Sequence, residues 1–122
     1  MNAAIVMPAL NEAATIESLF HDIKTSVSLP IWLVDDCSTD TTGDLASNMD
    51  VRVIRLPASL GAWGATQTGL REAASRGLDF VITMDADGQH NPEDIPALLA
   101  PLIAGECDVS IGSAPDRGSL GL

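Results

Sequence analysis

The chain has 122 residues, 46% of them hydrophobic, and 17 acidic against 6 basic side chains give a net charge of −11. That length holds one domain with a core sufficient for folding, and the composition is globular, not disordered. The acidity argues against nucleic acid or an anionic membrane as a broad electrostatic partner. A phosphorylated ligand stays open, because a cation or one of Arg52, Arg55, Arg71, Arg76 and Arg117 can neutralise it locally.

No apolar run reaches the roughly 18 residues of a membrane span, and the N-terminus lacks the basic start of a signal peptide, with residues 3–7 too short for its apolar region. Cys37 and Cys107 suit free thiols in a reducing compartment, which makes the cytoplasm the expected location. A Cys–His nucleophile would need His21 or His90 as its base, and no local motif links either to a cysteine.

In chain order, the apolar run 3–7 is stopped by Pro8 and predicts a first strand. Asn11-Glu12 begins a helix whose Ile16, Leu19, Phe20 and Ile23 follow the i, i+3, i+4, i+7 spacing of a buried face. Residues 31–34 form a second strand ending in Asp35-Asp36, and Ser38, Thr39 and Asp40 offer N-caps for a short helix through Met49. Residues 51–54 form a third strand. Gly61 and Gly64 flank the start of a helix that runs to about Arg76, with Gly77 as its stop. Residues 80–84 are a fourth strand, 92–103 a helix bent or shortened by Pro101, and 108–112 a fifth strand. The tail 114–122 has no periodicity. Strands alternating with helices imply right-handed crossovers: an α/β fold with an open, mostly parallel, Rossmann-like sheet and helices on both faces.

The chemistry gathers where strands end. Strand four runs straight into Asp85 and Asp87, and ligands of open α/β sheets collect beyond the carboxyl ends of the strands. Alternation sends i and i+2 the same way, so both carboxylates can face one hard cation such as Mg²⁺ or Mn²⁺. Asn91, Pro92 and Glu93-Asp94 then suit a capped helix start. Strands one and two also end in polar residues, Pro8 to Glu12 and Asp35-Asp36, so three loops build one cleft. A strand-end carboxylate there can accept hydrogen bonds from a base or ribose. Helix capping is the competing reading, for Asp35-Asp36 with Ser38 and for Asn11-Glu12 at their own helix.

Four segments in order, Pro8-Ala9-Leu10-Asn11-Glu12, Val34-Asp35-Asp36-Cys37-Ser38-Thr39-Asp40, 61–69 and 84–93, give the chain a family likeness. It resembles the nucleotide-sugar-binding half of family 2 glycosyltransferases with the GT-A fold, nearest the polyprenyl- or dolichyl-phosphate mannose or glucose synthases. The resemblance covers residues 2 to 113 and implies a nucleotide-sugar-binding domain over 1–113, with 114–122 an irregular tail. It implies that Pro8, Ala9, Asn11 and Glu12 line the nucleotide pocket. Asp36, with Asp35 beside it, would contact the nucleoside, and the glycine-rich 61–69 would lie near the nucleotide. Asp85 would serve nucleotide and metal, and Asp87 the metal and the catalytic step, while Gln89 would add a metal ligand. The implied reaction moves the sugar of a GDP- or UDP-sugar, with inversion, to an acceptor such as polyprenyl phosphate at the cytoplasmic membrane face.

Departures accompany the likeness. Such enzymes normally continue for about another hundred residues that carry the acceptor pocket and general base, and Ala114 stands where the family often has a basic residue, with Arg117 the nearest arginine. The acceptor half is expected to be absent, leaving a face for a second copy or a partner, and a non-catalytic nucleotide-sugar-binding module is the alternative. A haloacid-dehalogenase-type phosphohydrolase would want Thr after the glycine of Asp-x-Asp-Gly, where Gln89 stands. A nucleotidyltransferase would want a glycine-rich basic first loop, which Pro8 to Glu12 is not.

Overall fold

The protein is described by a computed structural model covering residues 2–86 and the backbone of 109–111. The expected helix over 92–103, Asp87, Gln89, His90, Cys107, Arg117 and the tail lie outside the described residues.

The elements are β1 (Ala3–Ala9), α1 (Ala13–Ser26), β2 (Ile31–Asp35), α2 (Thr42–Ser47), β3 (Arg52–Arg55), α3 (Gly61–Ser75), β4 (Phe80–Thr83) and β5 (Val109–Ile111). All pairings are parallel, and the strand order is β3-β2-β1-β4-β5. β1 and β2 are buried along their whole length, as central strands covered on both faces must be. Right-handed crossovers carry the chain one way through α1 and α2 and the other way through α3, and the core divides accordingly. On one face Ile16, Leu19, Phe20 and Ile23 of α1 pack with Ala46 of α2 against Ile5, Met7, Leu33 and Ile82. On the other, Ala65 and Ala73 of α3 pack against Ala4, Val6, Trp32, Val34 and Val81. Among the described residues no helix is long and apolar enough to cross a membrane.

β1 does not stop at Pro8. It continues to Ala9, with Pro8 opposite Val34 of β2. The reason lies in alternation. The Ala9 carbonyl accepts from Asp36 on the β2 side, at 2.9 Å, while the Val6 carbonyl accepts from Met84 on the β4 side, at 3.1 Å. Pro8 is two residues after Val6, so its missing N–H falls on the β4 side, where the ladder ends at Val6–Thr83. A proline that removes no ladder bond is tolerated even in a central strand.

β3 is an edge strand with both terminal arginines exposed. Arg52 lies 5.3 Å from the centre of the Trp32 ring and pairs with Glu72 of α3 at 3.0 Å, and Arg55 pairs with Asp44 of α2 at 2.7 Å. Each helix-bearing face thus holds one end of the edge.

α3 lies close on the sheet because Gly69 faces it. A Cβ added there would sit 2.4 Å from Val6 Cγ1 and 3.1 Å from Val34 Cγ2, both on buried valines of adjacent strands. Alanine in a helix interior ordinarily gains about 1 kcal/mol over glycine, whereas overpacking a filled core costs about 1–3 kcal/mol. Gly69→Ala is therefore expected to lower stability in urea denaturation, against its helix propensity. An alanine variant at least as stable as the parent would show that α3 is free to lift off the sheet.

Candidate functional site

The strand order reverses between β1 and β4, the place where the crevice of an open α/β sheet forms. A cavity of about 330 Å³ lies there, lined by Pro8, Ala9 and Glu12 from the end of β1, Asp36 after β2, Ser59 and Gly61 at the start of α3, and Asp85 after β4. The expected convergence of strand ends is therefore present, and Pro8, Ala9, Glu12, Asp36 and Asp85 meet at one cavity. Asn11 and Asp35 are not on its lining and support it from behind. Leu10, Ser59, Ala62 and Ala86 line it as well. Ser59 carries the chemistry the sequence reading missed. Its position two residues before Gly61 was the available signal.

The helix starts are held by side chains from another loop. Neither α1, whose N-cap is Glu12, nor α3, whose N-cap is Leu60, has a side-chain bond from its own cap residue. The first amides of a helix have no intrahelical partner, and here the segment after β2 supplies several. Asp36 Oδ1 accepts from the Leu60 amide at 2.7 Å, while its Oδ2 accepts from the Gly61 amide at 3.0 Å and the Ser59 hydroxyl at 2.8 Å. Asp40 Oδ2 accepts from the Ala13 amide at 3.2 Å, and Thr42 Oγ1 accepts from the Glu12 amide at 2.9 Å. The Thr42 hydroxyl in turn donates to Asp40 Oδ1.

The expectation for Asn11 needs correcting in its structural part. α1 begins at Ala13, and Asn11 is a left-handed residue (φ 55°), a conformation asparagine tolerates better than most. Its Oδ1 accepts from the amides of Thr39 (2.8 Å) and Asp40 (3.3 Å), and its own amide donates to Ser38 Oγ (3.0 Å). Asn11 therefore ties the first loop to the second. Asp35 accepts from the Ser38 amide at 3.0 Å, forming a tight turn, and does not cap α2. That helix starts at Thr42 after the Asp40 turn, not directly from Ser38 or Thr39. Asp36 does cap a helix, but it is α3.

Asp85 is exposed, lines this cavity and also borders a neighbouring one of about 260 Å³ beneath Trp63. Its carboxylate is a hard oxygen donor at the open end of the cleft, of the kind Mg²⁺ and Mn²⁺ take. Among the described residues no group of three His, Cys, Asp or Glu side chains could hold a metal, and the other two expected ligands, Asp87 and Gln89, lie outside them. The positive end of α3, at Gly61 and Ala62, also lines the cavity, as suits an anionic ligand.

Residues 4–120 match the family described as glycosyl transferase family 2. The chain is 35% identical over 125 residues to a dolichol-phosphate mannosyltransferase of Pyrococcus furiosus, covering 97% of this chain and 34% of that protein. It is 33% identical over 119 residues to an undecaprenyl-phosphate mannosyltransferase of Micrococcus luteus, covering 93% and 48%. A solved glucosyl-3-phosphoglycerate synthase of Mycobacterium tuberculosis, in complex with Mn²⁺, UDP and glucosyl-3-phosphoglycerate, superposes with a TM-score of 0.67 and 30% identity, over 86% of this chain and 40% of that one. The chain thus spans between a third and a half of the length of these relatives.

Two outcomes test the loop that holds the helices. Asp36→Ala leaves the amides of Leu60 and Gly61 at the start of α3 without their acceptor, a loss of about 0.5–2 kcal/mol, the usual cost of removing a helix cap. Faster hydrogen exchange at those two amides is expected, and unchanged exchange would refute the capping role. For Asp40, the Thr42 hydroxyl bond is the largest influence and holds the carboxyl below the usual aspartate range; desolvation opposes it, and the amides of Thr42 and Ala13 add to it. A folded value below the unfolded one contributes stability above the ordinary aspartate pKa, and that contribution is lost as pH falls through the lowered value. The Ala13 amide resonance should therefore titrate with a midpoint below that of an ordinary aspartate. A midpoint at or above the ordinary aspartate value would contradict the assignment.

Proposed function

The chain belongs to glycosyl transferase family 2, and from that premise we propose that it binds a nucleoside-diphosphate sugar with a divalent cation in the cleft at β1 and β4. The sugar then passes, with inversion, to a lipid phosphate such as polyprenyl phosphate at the cytoplasmic face of a membrane. The observation that carries the reading is the single cavity joining Pro8, Asp36, the start of α3 and Asp85. Relatives named as dolichol- and undecaprenyl-phosphate mannosyltransferases support the acceptor class. The solved relative with Mn²⁺ and UDP supports the donor and cation.

In this reading the walls at Pro8 and Ala9 and the floor at Asp36 and Ser59 take the nucleoside, and the positive end of α3 faces the diphosphate. Asp85 and, beyond the described residues, Asp87 and Gln89 are assigned to the cation, and Asp87 also to the catalytic step. A cation bound there supplies charge neutralisation to the leaving diphosphate. The acceptor oxygen attacks the anomeric carbon from the face opposite the diphosphate, and the electron pair of the broken bond leaves with the diphosphate. An ionised phosphate acceptor needs no general base; a hydroxyl acceptor does. The part of the reaction assigned to these residues is donor binding and activation of its leaving group.

Calorimetry with UDP and GDP, in Mn²⁺, Mg²⁺ or chelator, tests the proposal. Binding should need the cation and should weaken about tenfold or more in Asp85→Asn, the loss of one charge-assisted contact. Equal affinity in chelator, or an Asp85→Asn variant that binds as the parent does, would defeat the cation role. Incubation with labelled nucleotide sugars and polyprenyl phosphate separates the two classes of activity. Glycolipid formation supports the transferase, and cation-dependent binding without turnover supports a binding module.

A further inference from the structure

The floor of the cavity has a fixed hydrogen-bond polarity. Asp36 is only 2% exposed, and its carboxylate already accepts from the Leu60 and Gly61 amides and the Ser59 hydroxyl. Ser59, by contrast, is exposed and lines the same cavity. A serine hydroxyl has one proton and two lone pairs. Here the proton is committed to a carboxylate, which accepts more strongly than a neutral group. What Ser59 Oγ presents to the cavity is therefore lone pairs alone. Asp36, acceptor-only itself when ionised, adds no donor to this part of the floor.

We propose that Ser59 is the residue that selects the nucleobase, with Asp36 as the positioning residue that turns the Ser59 hydroxyl so that it can only accept. This rests on the nucleotide-site reading above and narrows it. The favoured base presents a ring N–H between or beside carbonyls, as uracil does at N3 and guanine at N1. Cytosine at N3 and adenine at N1 present a lone pair instead. Set at the same ring position, cytosine or adenine would put lone pair against lone pair and could bond to Ser59 only by shifting until its exocyclic amino group donates, a misfit of the kind by which a polar site rejects a close analogue.

The test compares affinities for UDP against CDP and GDP against ADP, with Mn²⁺ present, in the parent chain, Ser59→Ala and Ser59→Thr. The parent should prefer the N–H base of the better-bound pair by about tenfold or more. Ser59→Ala should reduce that preference about five- to tenfold, and Ser59→Thr, which keeps the hydroxyl, should restore it. Amide spectra of the alanine variant check that Leu60 and Gly61 still bond to Asp36, so that a lost preference is not lost structure. An alanine variant that weakens both members of a pair equally, or leaves the ratio unchanged, overturns the role of Ser59 while sparing the nucleotide site. A parent chain that binds none of the four diphosphates overturns both.

Discussion

Two helices on opposite faces of the sheet begin without help from their own cap residues, and one short acidic segment answers for both. Asp36 holds the first amides of α3, and Asp40 with Thr42 holds those of α1. The segment after β2 thus ties together the helix layers on the two faces of the sheet. Helix starts are where backbone donors are left over, and charged acceptors are strongest there. The lip of the cleft is positioned by these bonds, because Glu12 and Gly61, the residues beside the held amides, are themselves on its lining.

The place of the cleft follows from chain direction. Between β1 and β4 the crossovers part, α1 leaving on one face and α3 arriving on the other, so among the described residues no helix closes the carboxyl end there. Pro8 fits that gap because its missing donor lies where β4 has already ended. The close seat of Gly69 on Val6 and Val34 sets the depth of α3, and with it the height at which Gly61 and Ala62 stand on the cavity lining. Backbone geometry therefore places the charged groups before any ligand arrives.

Much of this was legible in the sequence, and for local reasons. The i, i+3, i+4, i+7 spacing of Ile16, Leu19, Phe20 and Ile23 names the buried face of α1, and all four are buried. The strand-end aspartates announced a polar cleft, and Asp36 and Asp85 stand on it. What escaped was every feature that depends on a distant partner. Asp36 is bonded to residues 23 to 25 positions away, so nothing in its own neighbourhood distinguishes a ligand contact from a helix brace. Asn11 shows a helix-start residue type but turns left-handed to reach Thr39 and Asp40. Pro8 reads as a strand stop unless the length of the neighbouring strand is known. Ser59 is an ordinary loop serine until its hydrogen-bond partner is seen.

The arginines of β3 bear on how copies of this protein meet. An outermost strand carries unpaired backbone groups and invites another strand to join it. Of the 6 basic residues of the chain, Arg52 and Arg55 stand on this four-residue strand. A second copy approaching edge to edge would meet two long side chains already paired with Glu72 and Asp44, and charged side chains of this kind blunt an exposed edge. The same two ion pairs that fasten the strand to the helices on either face thus also shield its outer border.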